Sequence, residues 1–314
     1  MGIAEQGWAN KLGAALLDNH GVPGDWVTGS RMLDVVLLPI IFAIAFPLLR
    51  LLLKKYVYQP SGEAVFLQLQ KKQDKTYTDQ QLENKLQKWN ESCWKMTVYT
   101  IFSAAAFLVS YQEPWFLSPV RFWDGATAFP LNYYVPFKIV LFYLIELGFY
   151  IQAIPFLFFV EVRRKDWLES FAHHIVTLGL MYYSWYANFT RPGVIVMLLH
   201  DVSDIFLEAA KLARYADKEA AALYLFVAFA VSWVILRVVL FPRVIIVRTL
   251  IDPVVLIAIP YNIDPQPHYS AFATMFMLLY FLHLYWTYLI FKVIYKQLKT
   301  GSTDDVREDD SDDE

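Results

Sequence analysis

Apolar residues are gathered along this chain into long runs, and polar stretches containing lysine and arginine separate them. A helix needs about 20 predominantly apolar residues to cross the hydrocarbon core of a bilayer. Runs of about this length predict seven membrane-spanning helices. Their predicted bounds are residues 32–53, 95–112, 136–160, 170–188, 193–212, 219–241 and 271–292.

An eighth apolar run, residues 244–259, is different because Arg248, Asp252 and Pro253 interrupt it. Irregular backbone at membrane depth has to be buried in protein. We therefore expect this run to be re-entrant or interfacial, and not to form a further span.

Composition supports a membrane protein. Hydrophobic residues make up 57% of the 314 residues and charged residues 18%, whereas soluble domains have about 45–50% and about 25%. The sequence therefore predicts an all-α, multi-pass transmembrane helical bundle of about seven spans. The single cysteine, Cys93, excludes an internal disulfide and a CxxC zinc site.

Positive residues cluster in alternate loops, at 54–95, 163–165, 211–218 and 292–299. Loops rich in lysine and arginine remain on the cytosolic side of a membrane. We therefore expect the N-terminus on the opposite, lumenal side and the C-terminus in the cytosol.

The same pattern divides the chain into four segments. Residues 1–31 form an N-terminal segment without the pattern of a cleavable signal. Residues 32–94 hold the first span and a polar linker, whose part from residue 61 is expected to be a helix at the membrane surface. Residues 95–295 form the main membrane domain. Residues 296–314 form an acidic tail that is expected to be disordered.

The fifth predicted span is unusually polar. It contains His200, Asp201, Asp204 and Glu208, and it ends at Lys211. Each ionisable group within a span costs roughly 2.5–3.5 kcal/mol on insertion scales, so such groups are functional candidates. Their i,i+3 and i,i+4 spacings give one polar helix face. An ion-pair network that only locks the bundle is the alternative.

The fourth predicted span carries two adjacent histidines, His173 and His174, which point about 100° apart on a helix. At 1.5 Å per residue, His173 lies about 13 Å from Arg164, and Asp204 lies about 10 Å from Lys211. His173 and Asp204 can therefore lie level on antiparallel helices, with Asp201 about 4.5 Å deeper. A carboxylate beside an imidazole suits a general base or a nucleophile.

Other intramembrane groups give weaker indications. Arg237, Glu146 and Lys138 are expected to pair within the bundle, and His283 is expected to pack more than to line a cavity. A di-iron hydroxylase would need about eight histidine or carboxylate ligands, but the chain has only six histidines. A transporter would be expected to show paired repeats, which the chain lacks. We expect no metal and no cofactor.

Three stretches carry a resemblance to a known family. They are ESFAHHIVT at 169–177, NFTRPG at 188–193 and HDVSDIFLEAAK at 200–211. Together they resemble the Lag motif of the ceramide synthases, which belong to the TRAM-Lag-CLN8 (TLC) domain superfamily. The similarity covers about residues 90–295. The chain lacks the homeobox-like insertion of many animal members and is most similar to plant-type members.

The resemblance implies an enzyme of the endoplasmic reticulum membrane with a TLC-type bundle. Such an enzyme transfers a fatty acyl group from acyl-CoA to the amine of sphinganine, sphingosine or phytosphingosine, giving a (dihydro)ceramide and free CoA. The family's histidine pair falls on His173 and His174, and its aspartates fall on Asp201 and Asp204. His173 matches the histidine thought to carry the acyl group.

Further expectations concern the surroundings of this site. We expect His200, Glu208 and Lys211 to support it. We expect the CoA phosphates to lie near Arg163, Arg164, Lys165 and Arg214. The other expected partners are membrane lipid and a second subunit, in a homo- or heterodimer. No nucleic acid is expected to bind. Two alternatives stay open: a non-enzymatic TLC-superfamily protein acting in translocation or lipid sensing, and a lipid or proton-coupled transporter.

Overall fold

The structure is a computed structural model that describes residues 31–74, 76–129 and 131–300. Most of the predicted N-terminal segment and the acidic tail from Gly301 lie outside the described residues. Within the described ranges every regular element is helical, which confirms the predicted all-α class. The helices are α1 Arg31–Leu53, α2 Gln59–Gln73, α3 Asp79–Ser110, α4 Phe137–Phe159, α5 Trp167–Tyr186, α6 Thr190–Tyr215, α7 Glu219–Trp233, α8 Val247–Pro253, α9 Ile259–Tyr261 and α10 His268–Thr300.

Three π-helical segments join some of these helices without a break. They are Lys54–Tyr58 between α1 and α2, Val234–Ile246 between α7 and α8, and Val254–Ala258 between α8 and α9. A short 3₁₀ helix, Pro119–Trp123, lies in the connection between α3 and α4. The described chain therefore consists of seven long helical units, and these correspond in order to the predicted spans.

Five of these units are long and apolar enough to cross a membrane: Val36–Gln73, Asp79–Ser110, Phe137–Phe159, Glu219–Tyr261 and His268–Lys299. Helices α5 and α6 correspond to the fourth and fifth predicted spans, 170–188 and 193–212. They are not among the five, and they carry the histidines and carboxylates of the predicted site.

The unit Glu219–Tyr261 differs from the expected break after residue 241. It continues through residues 244–259 as one helix, so this run is neither a re-entrant loop nor an eighth span. Pro242 and Pro253 lie inside it and cannot donate a backbone hydrogen bond. Wider π-helical turns absorb such interruptions, and they are frequent at functional sites.

Residues 59–90 form a helical hairpin, which differs from the single surface helix expected for 61–94. Helix α2 ends at Asp74, whose backbone is left-handed (φ 49°). Helix α3 begins with a capping box in which Thr78 Oγ1 accepts from the Gln81 backbone N–H at 3.2 Å and Gln81 Oε1 accepts from the Thr78 N–H at 3.1 Å. The 32 residues of α3 extend about 48 Å, so this α2–α3 hairpin projects beyond a hydrocarbon core of about 30 Å.

Helix α6 occupies the centre of the bundle, since it packs against α3, α4, α5, α7 and the π-helical segment Val234–Ile246. Helix α1 lies at the periphery and packs mainly on α4. The two approach closely at Gly148, where an added Cβ would lie 2.8 Å from the Pro39 carbonyl oxygen. Helix α6, which carries His200, Asp201, Asp204 and Glu208, is thus enclosed by other helices, whereas the apolar helix α1 is largely exposed.

Candidate active site

A cavity of about 650 Å³ lies between the α2–α3 hairpin, helices α4 to α7 and α10. Most of the residues predicted for the site line its wall: His173, His174, His200, Asp204, Glu208, Lys211, Arg164 and Arg214. Asp201, Arg163 and Lys165 are not part of the wall. Helices α5 and α6 therefore line one cavity together.

The two histidines of α5 are half-buried on this wall. The His173 ring centroid lies 6.4 Å from that of His200, with the rings nearly parallel, and 5.4 Å from that of Trp286, edge to face. His174 lies 5.7 Å from His173 and 6.1 Å from Tyr150. Nδ1 of each histidine is buried and has no hydrogen-bond partner among the described residues. The contacts shown for the His173 ring are therefore aromatic ones.

Asp204 contacts an arginine instead of the expected histidine. Within the described residues no hydrogen bond joins Asp204 to His173. Its Oδ1 lies 2.7 Å from Arg237 Nη2, and the Ser203 hydroxyl donates to the same oxygen at 3.4 Å. The geometry therefore does not support the expectation that the Asp204 carboxylate lies beside the His173 imidazole. Asp204 and His173 do line the same cavity wall.

Arg237 is the main residue that sequence reasoning left out of the site. It is buried on the π-helical segment and stacks on the Trp233 ring at 4.2 Å. Its Nη2 also donates to the His200 carbonyl at 2.7 Å, and its Nε donates to Ser203 Oγ at 3.1 Å. A guanidinium fixed by several contacts holds a carboxylate in one orientation. The charge of Arg237 inside an apolar run indicated that it pairs with another group in the bundle. The sequence did not indicate that this group is Asp204.

His200 and His283 form a buried pair next to the cavity. His200 Nδ1 donates to the Val196 carbonyl at 2.6 Å, and its Nε2 lies 2.9 Å from His283 Nε2. Since a carbonyl only accepts, a neutral His200 carries its proton on Nδ1 and accepts at Nε2. His283 is fully buried and outside the cavity wall, as the packing interpretation expected.

Asp201 lies behind the cavity wall, where its side chain meets Glu146 of α4. Both are buried, and neither Glu146 oxygen has a hydrogen-bond donor among the described residues. Adjoining buried carboxyl groups favour sharing one proton, because two like charges in contact repel each other. Glu146 was expected to pair within the bundle, and its neighbour is thus a second carboxylic acid, Asp201. Lys138 instead binds Glu113 at 2.7 Å, away from the cavity.

A second ionic cluster ties the loop after α4 to α3. Buried Glu91 accepts from Lys95 at 3.1 Å, from Arg164 at 3.0 Å and from the Val162 backbone N–H at 3.0 Å. Lys95 also binds Glu161 at 2.7 Å. Burial disfavours the charged form of Arg164, but the Glu91 carboxylate outweighs this and holds the pKa of Arg164 well above its usual value.

The four residues expected near CoA phosphates thus have different surroundings. Arg164 is bound to Glu91, and Arg163 stacks on the Trp167 ring at 4.7 Å outside the wall. Lys165 is exposed and also outside the wall, whereas Arg214 is exposed on it. Helix α3 adds cationic lining residues that the sequence did not indicate, because they lie in the predicted linker.

Two tryptophans complete the surroundings of His173. The Trp286 indole N–H donates to Asp166 Oδ2 at 2.9 Å, which fixes the ring that packs on His173. Trp233 lies 6.4 Å from Trp286 between ring centroids, at 89°. No sequence signal distinguishes these two from the chain's other tryptophans. Across the described ranges, no three or more His, Cys, Asp or Glu side chains are grouped to hold a metal ion.

Comparison with known proteins gives one consistent family. The family model of the TLC domain matches residues 88–292. ASC1-like protein 3 of Oryza sativa subsp. japonica is 37% identical over 88% of this chain and 95% of its own length. Ceramide synthase LOH1 of Arabidopsis thaliana is 34% identical over 90% and 92%. Human ceramide synthase 3 is 35% identical over 74% of this chain and 58% of its own length.

Proposed function

Because this chain belongs to the TLC-domain family and, within it, to the ceramide synthases, we propose that it is a sphingoid-base N-acyltransferase. It transfers a fatty acyl group from acyl-CoA to the amine of a long-chain base. The observation that carries this proposal is the pair His173 and His174 on the wall of a cavity of about 650 Å³, a wall that Asp204 also lines.

In the proposed reaction, His173 acts as the nucleophile. A ring nitrogen of the neutral imidazole attacks the thioester carbonyl, the carbon–sulfur bond breaks, and CoA leaves as its thiol. The base amine then attacks the acyl-imidazole, the amide bond forms, and the imidazole is released. The packing of His173 against His200 and Trp286 supports this assignment, since Nδ1 of the ring has no hydrogen-bond partner in the described part of the chain.

Asp204 is proposed to receive the amine. A sphingoid base enters as an ammonium ion and has to lose a proton before it can attack. The contacts of Asp204 with Arg237 and Ser203 both use Oδ1, so Oδ2 stays available to the substrate. The ion pair with Arg237 keeps the Asp204 carboxylate in place as the ammonium ion of the sphingoid base approaches. His174, Asp201, His200, Glu208 and Lys211 support the site without a direct role in bond formation.

We further propose an endoplasmic reticulum location, with the α2–α3 hairpin and the C-terminus in the cytosol and the N-terminus in the lumen. The lysine-rich stretch 54–95 supports this orientation. Acyl-CoA then approaches from the hairpin side. A second, mostly apolar cavity of about 40 Å³ shares Tyr150 and His200 with the main one. It offers room beyond the histidines for the end of a hydrocarbon chain.

The proposal is tested with full-length protein carrying His173→Ala, assayed in membranes with palmitoyl-CoA and sphinganine. We expect N-acyl product to fall at least about 1,000-fold, because the group that forms the intermediate is lost. The matched control is His268→Ala, since His268 is buried against Tyr183 at the far end of α10 and outside the cavity wall. Unchanged product with His173→Ala would refute the assignment.

Intact-protein mass spectrometry separates the two roles open to a histidine. Palmitoyl-CoA added without a base leaves an acyl adduct on His173 only if that residue is the nucleophile. A general base leaves none while activity remains. Movement of the base across vesicles without any N-acyl product would support a transporter instead.

A further inference from the structure

Two tyrosines of the large cavity take no part in the proposed reaction. Tyr99 of α3 and Tyr150 of α4 line the same wall as His173 and Asp204. Tyr150 is 8% exposed, and Tyr99 is half-buried. A hydroxyl group removed from bulk water at such a depth is costly unless it finds a hydrogen-bond partner. The partners of these two hydroxyls therefore decide what the tyrosines do.

Neither phenol hydroxyl has a partner within the protein. No hydrogen bond links the Tyr99 or the Tyr150 hydroxyl to any residue that the structure describes. The protein does not enclose either oxygen completely, so each borders the open space of the cavity. Buried Tyr143 of α4, by contrast, shares a hydrogen bond with Ser184. The hydroxyls of Tyr99 and Tyr150 are thus available to a ligand in the cavity.

Both hydroxyls face the carboxyl groups of α6. Glu146 and Tyr150 lie one turn apart on α4, so they share one face of that helix. Among charged groups, Asp201 has the strongest electrostatic interaction with the Tyr150 hydroxyl, and Asp204 acts on it as well. The Tyr99 hydroxyl interacts most strongly with Asp204 and then with the Tyr150 hydroxyl. Tyr99, Tyr150 and the Asp204 carboxylate therefore form one subsite, contributed by three different helices.

The donors and acceptors of this subsite define the ligand that fits it. A carboxylate only accepts hydrogen bonds, so the open Oδ2 of Asp204 suits an ammonium group. A phenol hydroxyl both donates and accepts, so it suits an alcohol. A simple alkylamine would use the carboxylate and leave both phenol hydroxyls unpaired, which is unfavourable away from bulk water. An amine flanked by two hydroxyl groups pairs with all three.

We infer that Tyr99 and Tyr150 bind the two hydroxyl groups that flank the amine of a sphingoid base, one hydroxyl each, while Asp204 binds the amine. This rests on the proposed function and deepens it, because it assigns the polar head of the base to named residues. The two tyrosines are binding residues, and no covalent bond forms or breaks at their oxygens. A site that hydrogen-bonds a substrate hydroxyl discriminates against analogues that lack it.

The test compares four acceptors with full-length wild type, Tyr99→Phe and Tyr150→Phe in nanodiscs. Sphinganine has both hydroxyl groups, 1-deoxysphinganine and 3-deoxysphinganine lack one each, and 2-aminooctadecane lacks both. We expect wild-type kcat/KM to fall about tenfold for each hydroxyl removed, because its partner is left unpaired. We expect each phenylalanine variant to lose about tenfold with sphinganine. One variant no longer distinguishes sphinganine from 1-deoxysphinganine, and the other no longer distinguishes it from 3-deoxysphinganine.

Two further measurements separate this role from a merely structural one. Phenylalanine keeps the ring and its packing, and kcat/KM for palmitoyl-CoA stays at the wild-type value because the acyl donor does not use the two hydroxyls. The matched control is Tyr77→Phe. Tyr77 lines the same cavity, but its ring lies 5.2 Å from Lys85 Nζ on the α2–α3 hairpin. This control keeps the wild-type kcat/KM with all four acceptors.

An equal loss with all four acceptors in both variants overturns the inference, and so does an unchanged kcat/KM for sphinganine. If the wild type acylates none of the bases, the proposed function fails instead. Calorimetry of base binding then still tests the subsite. Weaker binding of sphinganine, but not of 2-aminooctadecane, to the phenylalanine variants supports the inference, and equal binding of sphinganine to all proteins contradicts it.

Discussion

At the scale of single residues, Arg237 governs what Asp204 can do. Four contacts fix its guanidinium: the Asp204 carboxylate, the His200 carbonyl, the Ser203 hydroxyl and the Trp233 ring. A buried carboxylate without such a partner takes up a proton or leaves its site. Asp204 therefore depends on a residue from another helix for its charge and its position.

Replacement of Arg237 by methionine tests this dependence. We expect the free energy of unfolding to fall by about 3–5 kcal/mol, because the partner charge of a buried pair is left alone. We expect acyl-transfer activity to fall at least about 100-fold. The measurements are thermal unfolding in detergent and product formation at saturating substrate.

The double variant Arg237→Met/Asp204→Leu is the control. Removal of both charges restores most of the stability but not the activity. Wild-type activity in Arg237→Met would contradict the assigned dependence, and so would failure of the double variant to recover stability.

At the scale of helices, much of the bundle could be predicted from sequence, because a run of about 20 apolar residues has few alternatives in a membrane. Helices α5 and α6 agree with their predicted spans to within about 3 residues. The i,i+3 and i,i+4 spacing of Asp201, Asp204 and Glu208 places them on one helix, but it does not identify a partner on another. Arg237 reaches Asp204 from a π-helical segment, whose register no apolar pattern reveals.

The α2–α3 hairpin was the least predictable element. Its residues are polar and its few apolar positions permit a lone surface helix as well as a packed pair. Packing between the two helices favours the pair over a lone surface helix. Phe66 of α2 lies edge to face with Trp89 of α3, at 6.0 Å between ring centroids. This is a contact between distant residues that local propensity does not contain.

Helix α1 approaches α4 closely at Gly148. A Cβ added there would lie 2.8 Å from the Pro39 carbonyl oxygen, and backbone cannot rotate away as a side chain can. We therefore expect Gly148→Ala to lower the free energy of unfolding by about 1–3 kcal/mol. Thermal unfolding measures the change.

Gly179→Ala is a suitable control for Gly148→Ala, since its Cβ would meet only the flexible Met275 side chain at 3.6 Å. We expect its thermal midpoint to be close to that of the wild type. Equal midpoints for Gly148→Ala and the wild type would show that α1 and α4 are free to separate at this point.

At the scale of the whole molecule, the proposed orientation can be tested with cysteine labelling. The only native cysteine, Cys93, is buried and serves as the internal blank. Sealed microsomes expose their cytosolic face. We expect a membrane-impermeant maleimide to label Gln80→Cys in intact vesicles, because residue 80 is exposed at the start of α3.

Leu117→Cys is the counterpart on the opposite side of the bundle, where Leu117 is 89% exposed between α3 and α4. It should react only after the vesicles are permeabilised. Labelling in the reverse order would contradict the proposed orientation.

The perpendicular indole rings of Trp233 and Trp286 provide an intrinsic spectroscopic signal from the cavity. Transition dipoles of rings 6.4 Å apart at 89° couple strongly enough to contribute to near-ultraviolet circular dichroism. Trp286 also packs on His173 at 5.4 Å. Any group that becomes attached to this imidazole alters the environment of the coupled pair. Occupancy of the site can consequently be followed by near-ultraviolet circular dichroism of the unlabelled protein. The spectrum of the Trp286→Phe variant is subtracted as background.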